Sequence, residues 1–356
     1  MADRRREVQE LRERMARIDT EIRDQLDARA RFSQQIHALT EAEPSADGGE
    51  REWLERLVGG SSGDMPAESL KSIFREIRAA GRAIEQTVRV AMVGPDGGFG
   101  HESTLQLFGA TTQIIECQTT ADALTEVVRG RAAFAVFPFE SSAEGLAQAS
   151  LLALAQTELV MVGERFNPAT YNLMSLSTDT AVLEKVYMTA IARAACQRYL
   201  DQELPRVSVI DVRSPRVAAE LARESASSGA IVPERCGRNA GLELLRENVG
   251  EFADLRVRYG VAGQRPAART GNDITCLLFS TENLPGSLYE CLRHFSERGI
   301  NLRKLQSLPA RREGFDYYFY VEISGHASDR SMVTALESVK RSVHYYRLLG
   351  SFAAAS

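Results

Sequence analysis

Apolar residues open the chain at Val8, Leu11, Met15, Ile18 and Ile22, then recur at Phe32, Ile36 and Leu39. The steps of three and four form a heptad seam, and no Pro or Gly interrupts residues 4–43, so the pattern predicts one continuous helix. At ~1.5 Å per residue it would be roughly 55 Å long. A stripe of that length needs partner helices, some from a second copy of the chain. The register places Gln25 and Arg29 on the seam, with Arg12 beside Leu11. An arginine facing the inside of a bundle needs an anion. Two readings stay open: an ion pair within the bundle, or a cavity for an anionic ligand. After a polar loop (Glu43 to Gly49), a second helix is predicted from Glu50 to Val58. Gly59 to Gly63 then turns the chain into a third, from Pro66 to about Gln86.

From Val88 the period changes. Strand-like runs at 88–94, 132–137, 159–163, 185–187, 207–212 and 230–232 alternate with helical ones at 120–128, 144–155, 192–200 and 217–224. Such alternation predicts an α/β domain with its site in loops at strand ends or between two lobes. Beyond a polar linker (Gly263 to Gly271), the pattern over 273–352 reads strand-helix-strand-strand-helix-strand, a ferredoxin-like α+β sandwich. The division is 1–86 all-helical, 87–263 α/β and 272–353 ferredoxin-like.

Composition narrows the function class. Of 356 residues, 44% are hydrophobic and 26% charged, as in an ordinary soluble protein, and the net charge of −5 gives no case for nucleic acid. No apolar run approaches membrane-spanning length, and the amino terminus lacks the apolar core of a signal peptide, so a cytoplasmic location is expected. The five cysteines are scattered and odd in number, which suits reduced thiols, and no metal or other cofactor is expected.

The first 86 residues carry a specific likeness. Leu11-Arg12, Ile18-Asp19, Arg29, Arg51-Glu52 and Ile73-Phe74-Arg75-Glu76-Ile77 resemble, in order and spacing, the all-helical chorismate mutases fused to prephenate dehydratase. The resemblance implies an interlocked dimer whose arginines hold the carboxylates of chorismate, by positioning and electrostatic stabilisation. It assigns Arg12, Arg29 and Arg51 to carboxylate binding, Glu52 to catalysis and Glu85 to the substrate site. Thr40 stands where the family has a lysine that bonds the breaking ether oxygen. Gly48 and Gly81 replace a polar aspartate and serine. A cavity of this kind should bind a dicarboxylate better than it catalyses.

The α/β region resembles prephenate dehydratase, a two-lobed fold like that of periplasmic binding proteins. Gly94-Pro95-Asp96-Gly97-Gly98-Phe99 matches its glycine-rich loop. Pro138-Phe139-Glu140-Ser141-Ser142-Ala143-Glu144-Gly145 matches a loop leading into a helix N-terminus suited to an anion. The likeness implies catalytic roles for Ser141 and Arg258 and substrate contacts for Ser142 and Ser214. The serines are equally well read as helix caps, and Arg258 alternatively as a surface ion pair. Val257 occupies the position of the family's essential threonine and cannot donate a proton. Gly98, Gly100 and Met188-Thr189-Ala190-Ile191 replace further polar residues.

Pro285-Gly286-Ser287-Leu288-Tyr289 and Gly299-Ile300-Asn301-Leu302 resemble an ACT regulatory domain, which implies an amino-acid effector at Gly286, Ser287, Leu288 and Asn301. Dimerisation through an edge strand is the alternative role. The expected protein is a homodimer or tetramer acting on chorismate, prephenate or a relative in phenylalanine synthesis, with both activities weakened or altered. A different reaction on prephenate, such as decarboxylation without aromatisation, and a silent binding paralogue are the alternatives.

Overall fold

The computed structural model describes residues 2–40, 50–59, 65–85, 88–252, 254–309 and 317–355. They form two compact units, one holding three helices and the other nearly all of the chain from Arg89 on. In the first unit, α1 (Ala2–Thr40), α2 (Glu50–Gly59) and α3 (Ala67–Glu85) fall within three residues of the expected limits. The loop at 41–49 and the turn at 60–64 lie outside the described residues. In the single chain the seam is bare: Leu11, Met15, Ile18, Ile22 and Phe32 are all more than half exposed. α3 packs against α1 and meets α2. Trp53 meets Phe74 edge-on with centroids 5.8 Å apart, and Arg78 lies over the Trp53 ring.

The second unit opens with β1 (Arg89–Val93), α4 (Phe99–Phe108), β2 (Gln113–Cys117), α5 (Thr120–Val128) and β3 (Phe134–Ser141). A capping box between Thr119 and Asp122 fixes the start of α5. Next come β4 (Gly145–Leu146), α6 (Gln148–Ala155) and β5 (Val160–Pro168). The helix expected over 144–155 therefore starts four residues late. Gly145, at φ 75°, turns the chain back so that β4 pairs with β3, and the expected loop over 138–145 is mostly strand.

A second lobe follows, built from β6 (Asn172–Ser175), β7 (Lys185–Met188), α7 (Ala190–Ala195), α8 (Gln197–Glu203), β8 (Ser208–Asp211), α9 (Pro215–Ala222), β9 (Ser228–Val232), α10 (Glu234–Asn239) and β10 (Glu243–Arg246). The helix expected over 192–200 breaks at Cys196. Its sheet has the order β10-β6-β9-β7-β8. The chain returns to the first lobe through β11 (Arg256–Gly263), which lies antiparallel between β3 and β5.

The last segment comprises β12 (Asp273–Ser280), α11 (Ser287–Ser296), β13 (Leu302–Pro309), β14 (Tyr317–Ser324), α12 (Arg330–Ser342) and β15 (Tyr345–Ala353), in the ferredoxin-like order β13-β14-β12-β15. It does not stand apart. β15 runs alongside β5, and one ten-stranded sheet crosses the linker. β12 is buried along its whole length. Ile274, Cys276 and Leu278 share a core with Phe137, Leu151 and Met161, while Leu277 and Phe279 face α11 and α12. The linker at 263–271 divides the chain but not the packing. No helix among the described residues is long and apolar enough to cross a membrane.

Candidate functional site

The two lobes of the second unit meet over a groove of about 330 Å³. One wall is the turn after β1 together with α4, contributing Asp96, His101 and Glu102. The other is α9 and α10, contributing Arg216, Arg223 and Arg235. Gly97 lets the lobes touch. Its φ is 77°, and a β-carbon there would lie 2.8 Å from Cys236 Sγ and 3.0 Å from Arg216 N. No side chain fits at that approach.

Asp96 bridges the groove. Its Oδ2 accepts from Arg216 Nη1 at 2.9 Å, and Arg216 Nε also donates to Glu220 at 3.2 Å. His101 Nδ1 lies 2.7 Å from Asp96 Oδ1 and 2.8 Å from the Gly97 amide nitrogen. One nitrogen cannot accept the Gly97 proton and also give a proton to Asp96. Burial pushes the His101 pKa down against the pull of Asp96, so the neutral ring is the state we assign. Glu102 is half-buried. Burial raises its carboxyl pKa, and Arg235 opposes the rise. Gln106 Nε2 donates to Glu102 at 3.3 Å, and Arg165 donates in turn to Gln106 and Asn167. The groove thus sets arginines around a carboxyl group that holds its proton more readily than usual, a setting for an anionic ligand.

The site residues expected from sequence stand elsewhere. Ser141 and Val257 are partners in the β3–β11 ladder. Ser141 Oγ accepts from Glu144 N at 3.0 Å, which closes the hairpin turn, and the N-terminus of α6 begins only at Gln148. Ser142 Oγ accepts from Arg256 N at 3.0 Å. Ser214 is the N-cap of α9, accepting from Val217 N, with Pro215 behind it. The capping reading holds for Ser214, whereas Ser141 and Ser142 pin a hairpin. None of these residues lines the groove.

Arg258 requires a correction. It is neither a surface residue nor turned to the groove. Only 3% of its side chain is exposed, and three carboxylates surround it: Glu140, Glu164 and Glu322. Its Nε and Nη1 are taken by these carboxylates, and Nη2, which has no hydrogen-bond partner, is buried with them away from the groove.

In the helical unit Arg12 is exposed. Arg29 is half-buried, its Nη1 lying 3.3 Å from where a β-carbon on Gly81 would stand. The glycine that replaces the expected serine thus leaves room for this guanidinium. The side chains of Arg51, Glu52, Glu85 and Thr40, and all of Gly48, lie outside the described residues. In the ferredoxin-like segment Gly286, at φ 88°, starts α11, Ser287 is the first helical residue, and Leu288 packs on the core. The Asn301 carbonyl accepts from Ser324 N at 2.9 Å.

Sequence reasoning missed His101, Glu102, Arg216, Arg223 and Arg235. One signal was available: Glu220 and Arg223 fall on one face of the predicted helix, and Arg216, one residue ahead of its predicted start, continues that face at a step of four. The pairing of that face with α4 was not available, because α4 itself was not recognised between the glycines at 97–100 and Gly109.

Comparison with known proteins gives a consistent picture. The prephenate dehydratase family profile matches residues 90–267. The bifunctional chorismate mutase/prephenate dehydratase of Aquifex aeolicus (strain VF5) is 33% identical over 353 residues, covering 97% of this chain and 98% of that protein. Among solved structures, the prephenate dehydratase of Arthrobacter aurescens in complex with L-Phe superposes with a TM-score of 0.63 at 30% identity, over 75% of this chain and 90% of that one. GqqA, described as a novel type of quorum quenching acylase, superposes with a TM-score of 0.62 at 25% identity, over 75% of this chain and 98% of its own.

Proposed function

Because the chain belongs to the family of bifunctional chorismate mutase/prephenate dehydratases, a family of aromatic amino-acid biosynthesis, we propose that it binds chorismate and prephenate as dicarboxylates and turns them over with both reactions weakened. The end of β11 carries this reading. Dehydration of prephenate breaks the bond to the ring carboxylate and releases carbon dioxide. The freed electron pair aromatises the ring, and the hydroxyl leaves as water after taking a proton. At the position where the family places its threonine, Val257 has no proton to give. Across the ladder stands Ser141, whose oxygen already accepts the Glu144 amide. Its own proton is a replacement on the paired strand. The likeness to GqqA argues in the same direction, since one fold carries different chemistry on different side chains.

For the mutase half, Arg12 and Arg29 lie seventeen residues apart on α1, about 25 Å along a straight helix. One small dicarboxylate cannot touch both within a single chain. A cavity using both arginines takes one from a second copy, and the bare seam of α1 is the surface that copy covers. The protein is accordingly a dimer, or a tetramer built from two dimers. The segment from β12 to β15 acts as the amino-acid sensor, with L-phenylalanine at Gly286 to Leu288 and Asn301. The L-Phe complex of the Arthrobacter protein supports that choice.

Incubating the pure protein separately with chorismate and with prephenate, and identifying products by mass, tests the reading. Slow prephenate and phenylpyruvate formation is expected. Rapid phenylpyruvate formation would mean that the valine costs nothing. A product retaining the hydroxyl after loss of carbon dioxide would replace the reaction assigned here, and binding without turnover would mark a silent paralogue.

A further inference from the structure

Arg258 sits at the centre of the ten-stranded sheet, on β11, in a shell drawn from both sides of the linker. Phe139 and Phe166 sandwich its guanidinium at 5.4 and 5.5 Å. Nε donates to Glu164 Oε2 at 2.6 Å. Nη2 lies 2.5 Å from the same oxygen, but off the line of its N–H bonds, so Nε carries that hydrogen bond. Nη1 donates to Glu140 at 3.2 Å and also to Glu322, which lies across the linker on β14. The Tyr320 hydroxyl donates to the same Glu322 oxygen at 2.8 Å. Lys304, on β13, donates to Glu140 on β3. Glu164 Oε1 accepts the amide of Ala355, just past β15.

Every carboxylate of the cluster thus ties the α/β lobe to the ferredoxin-like segment. Three carboxylates face two cations, with Arg258, Glu164 and Glu322 buried and Glu140 and Lys304 about one-quarter exposed. Burying ions this way carries a desolvation penalty that apolar packing would avoid, and the arrangement demands strict geometry. Glu140 and Arg258 immediately precede Ser141 and follow Val257, so a shift of β13 or β14 pulls directly on the pair at the end of β3 and β11.

We infer that Arg258 is a positioning residue that couples the ferredoxin-like segment to the Ser141–Val257 end of the α/β lobe. The inference rests on the functional reading above only in taking that end for the reaction site. A ligand that moves β13 or β14 acts through Glu322 and Lys304 on the guanidinium, and through it on β3 and β11.

Amide hydrogen exchange on the intact protein tests the coupling. Glu322→Gln keeps the shape and the Tyr320 hydrogen bond but removes the charge. It should raise exchange at least tenfold in Glu140 to Leu146 and Arg256 to Tyr259, on the far side of the linker, and leave β8 unchanged. Changes confined to β12–β15, or spread equally into β8, would overturn the inference. Should Glu322→Gln fail to fold, Lys304→Met carries the same expectation from a position that is one-quarter exposed. Arg258→Lys separates positioning from charge balance. It should keep the fold yet leave exchange at 140–146 raised, because an ammonium cannot meet three carboxylates in the plane of a fork. Full restoration of wild-type exchange by lysine would reduce Arg258 to a counter-ion. Titration of the same proteins with prephenate keeps the two readings apart: failure of the unaltered chain to bind it counts against the proposed function and leaves the exchange result standing.

Discussion

Replacing Gly350 with alanine should loosen the join between β15 and β5 more than any comparable change at an exposed turn. Gly350 pairs with Met161 where the two strands run side by side. Its φ is 146°, and an added β-carbon would lie 2.2 Å from Met161 O and 2.7 Å from Met161 N. Carbon and oxygen rarely approach closer than ~3.3 Å, so β15 must move by about an ångström. The atoms in the way are backbone and cannot swing aside. Strain of a side chain in this region of φ is of order 1–3 kcal/mol, and overpacking adds ~1–3 kcal/mol, so a loss of about 4 kcal/mol is expected. In a unit of this size each kcal/mol is worth roughly 2–4 °C, which places the fall in Tm near ~10 °C. Gly299→Ala is the control. Its φ is 65°, but nothing lies within 4 Å of the added carbon, so only the left-handed strain of ~1–2 kcal/mol remains. Calorimetry on both proteins makes the comparison. Equal shifts in Tm for Gly350→Ala and Gly299→Ala would refute the argument that β15 is locked against β5 by close backbone approach.

Val257→Thr should raise phenylpyruvate formation from prephenate by tenfold or more, since general acid help is commonly worth ~10²–10⁴ in rate; an unchanged rate would show that the hydroxyl at this position is not what limits the reaction. Thr40→Lys should raise chorismate mutase turnover roughly tenfold, because a hydrogen bond from an ionised donor is worth ~1.5–3 kcal/mol; steady-state assays with chorismate decide this. Arg12→Ala and Arg29→Ala should each abolish mutase turnover, while an equimolar mixture of the two, allowed to exchange partners, regains part of it; no recovery would mean that each cavity lies within one chain. For His101, whose folded pKa lies below its ordinary value, the unfolded chain binds the extra proton first as pH falls. Its share of stability is therefore present above pH ~6.5 and lost as pH falls toward the lower folded value. Urea melts of the unaltered chain should lose stability across that window faster than melts of His101→Gln, and parallel curves would contradict the neutral assignment.

The amino-acid sequence by itself determined the elements whose signals are local. The seam from Val8 to Leu39 specified a single helix, because a run of that period without Pro or Gly has no other way to collect its apolar residues on one side. The order of periods from 273 to 352 likewise specified the ferredoxin-like topology, and Ser214-Pro215 marked the start of α9. Tertiary structure decided what each polar group meets. Arg258 read as a catalytic residue because the likeness to prephenate dehydratase put it there, with a surface ion pair as the alternative. It became a buried pin because β14, more than sixty residues further on, brings Glu322 to it, and no local pattern encodes that meeting. The groove has the same origin. Asp96 and Arg216 stand 120 residues apart, and only the approach of two lobes at Gly97 gives them a common space. A hydrophobic period records which side of an element is buried. What that side is buried against depends on non-local pairing of strands, and in this chain such pairing carried the ferredoxin-like segment into the sheet of its neighbour.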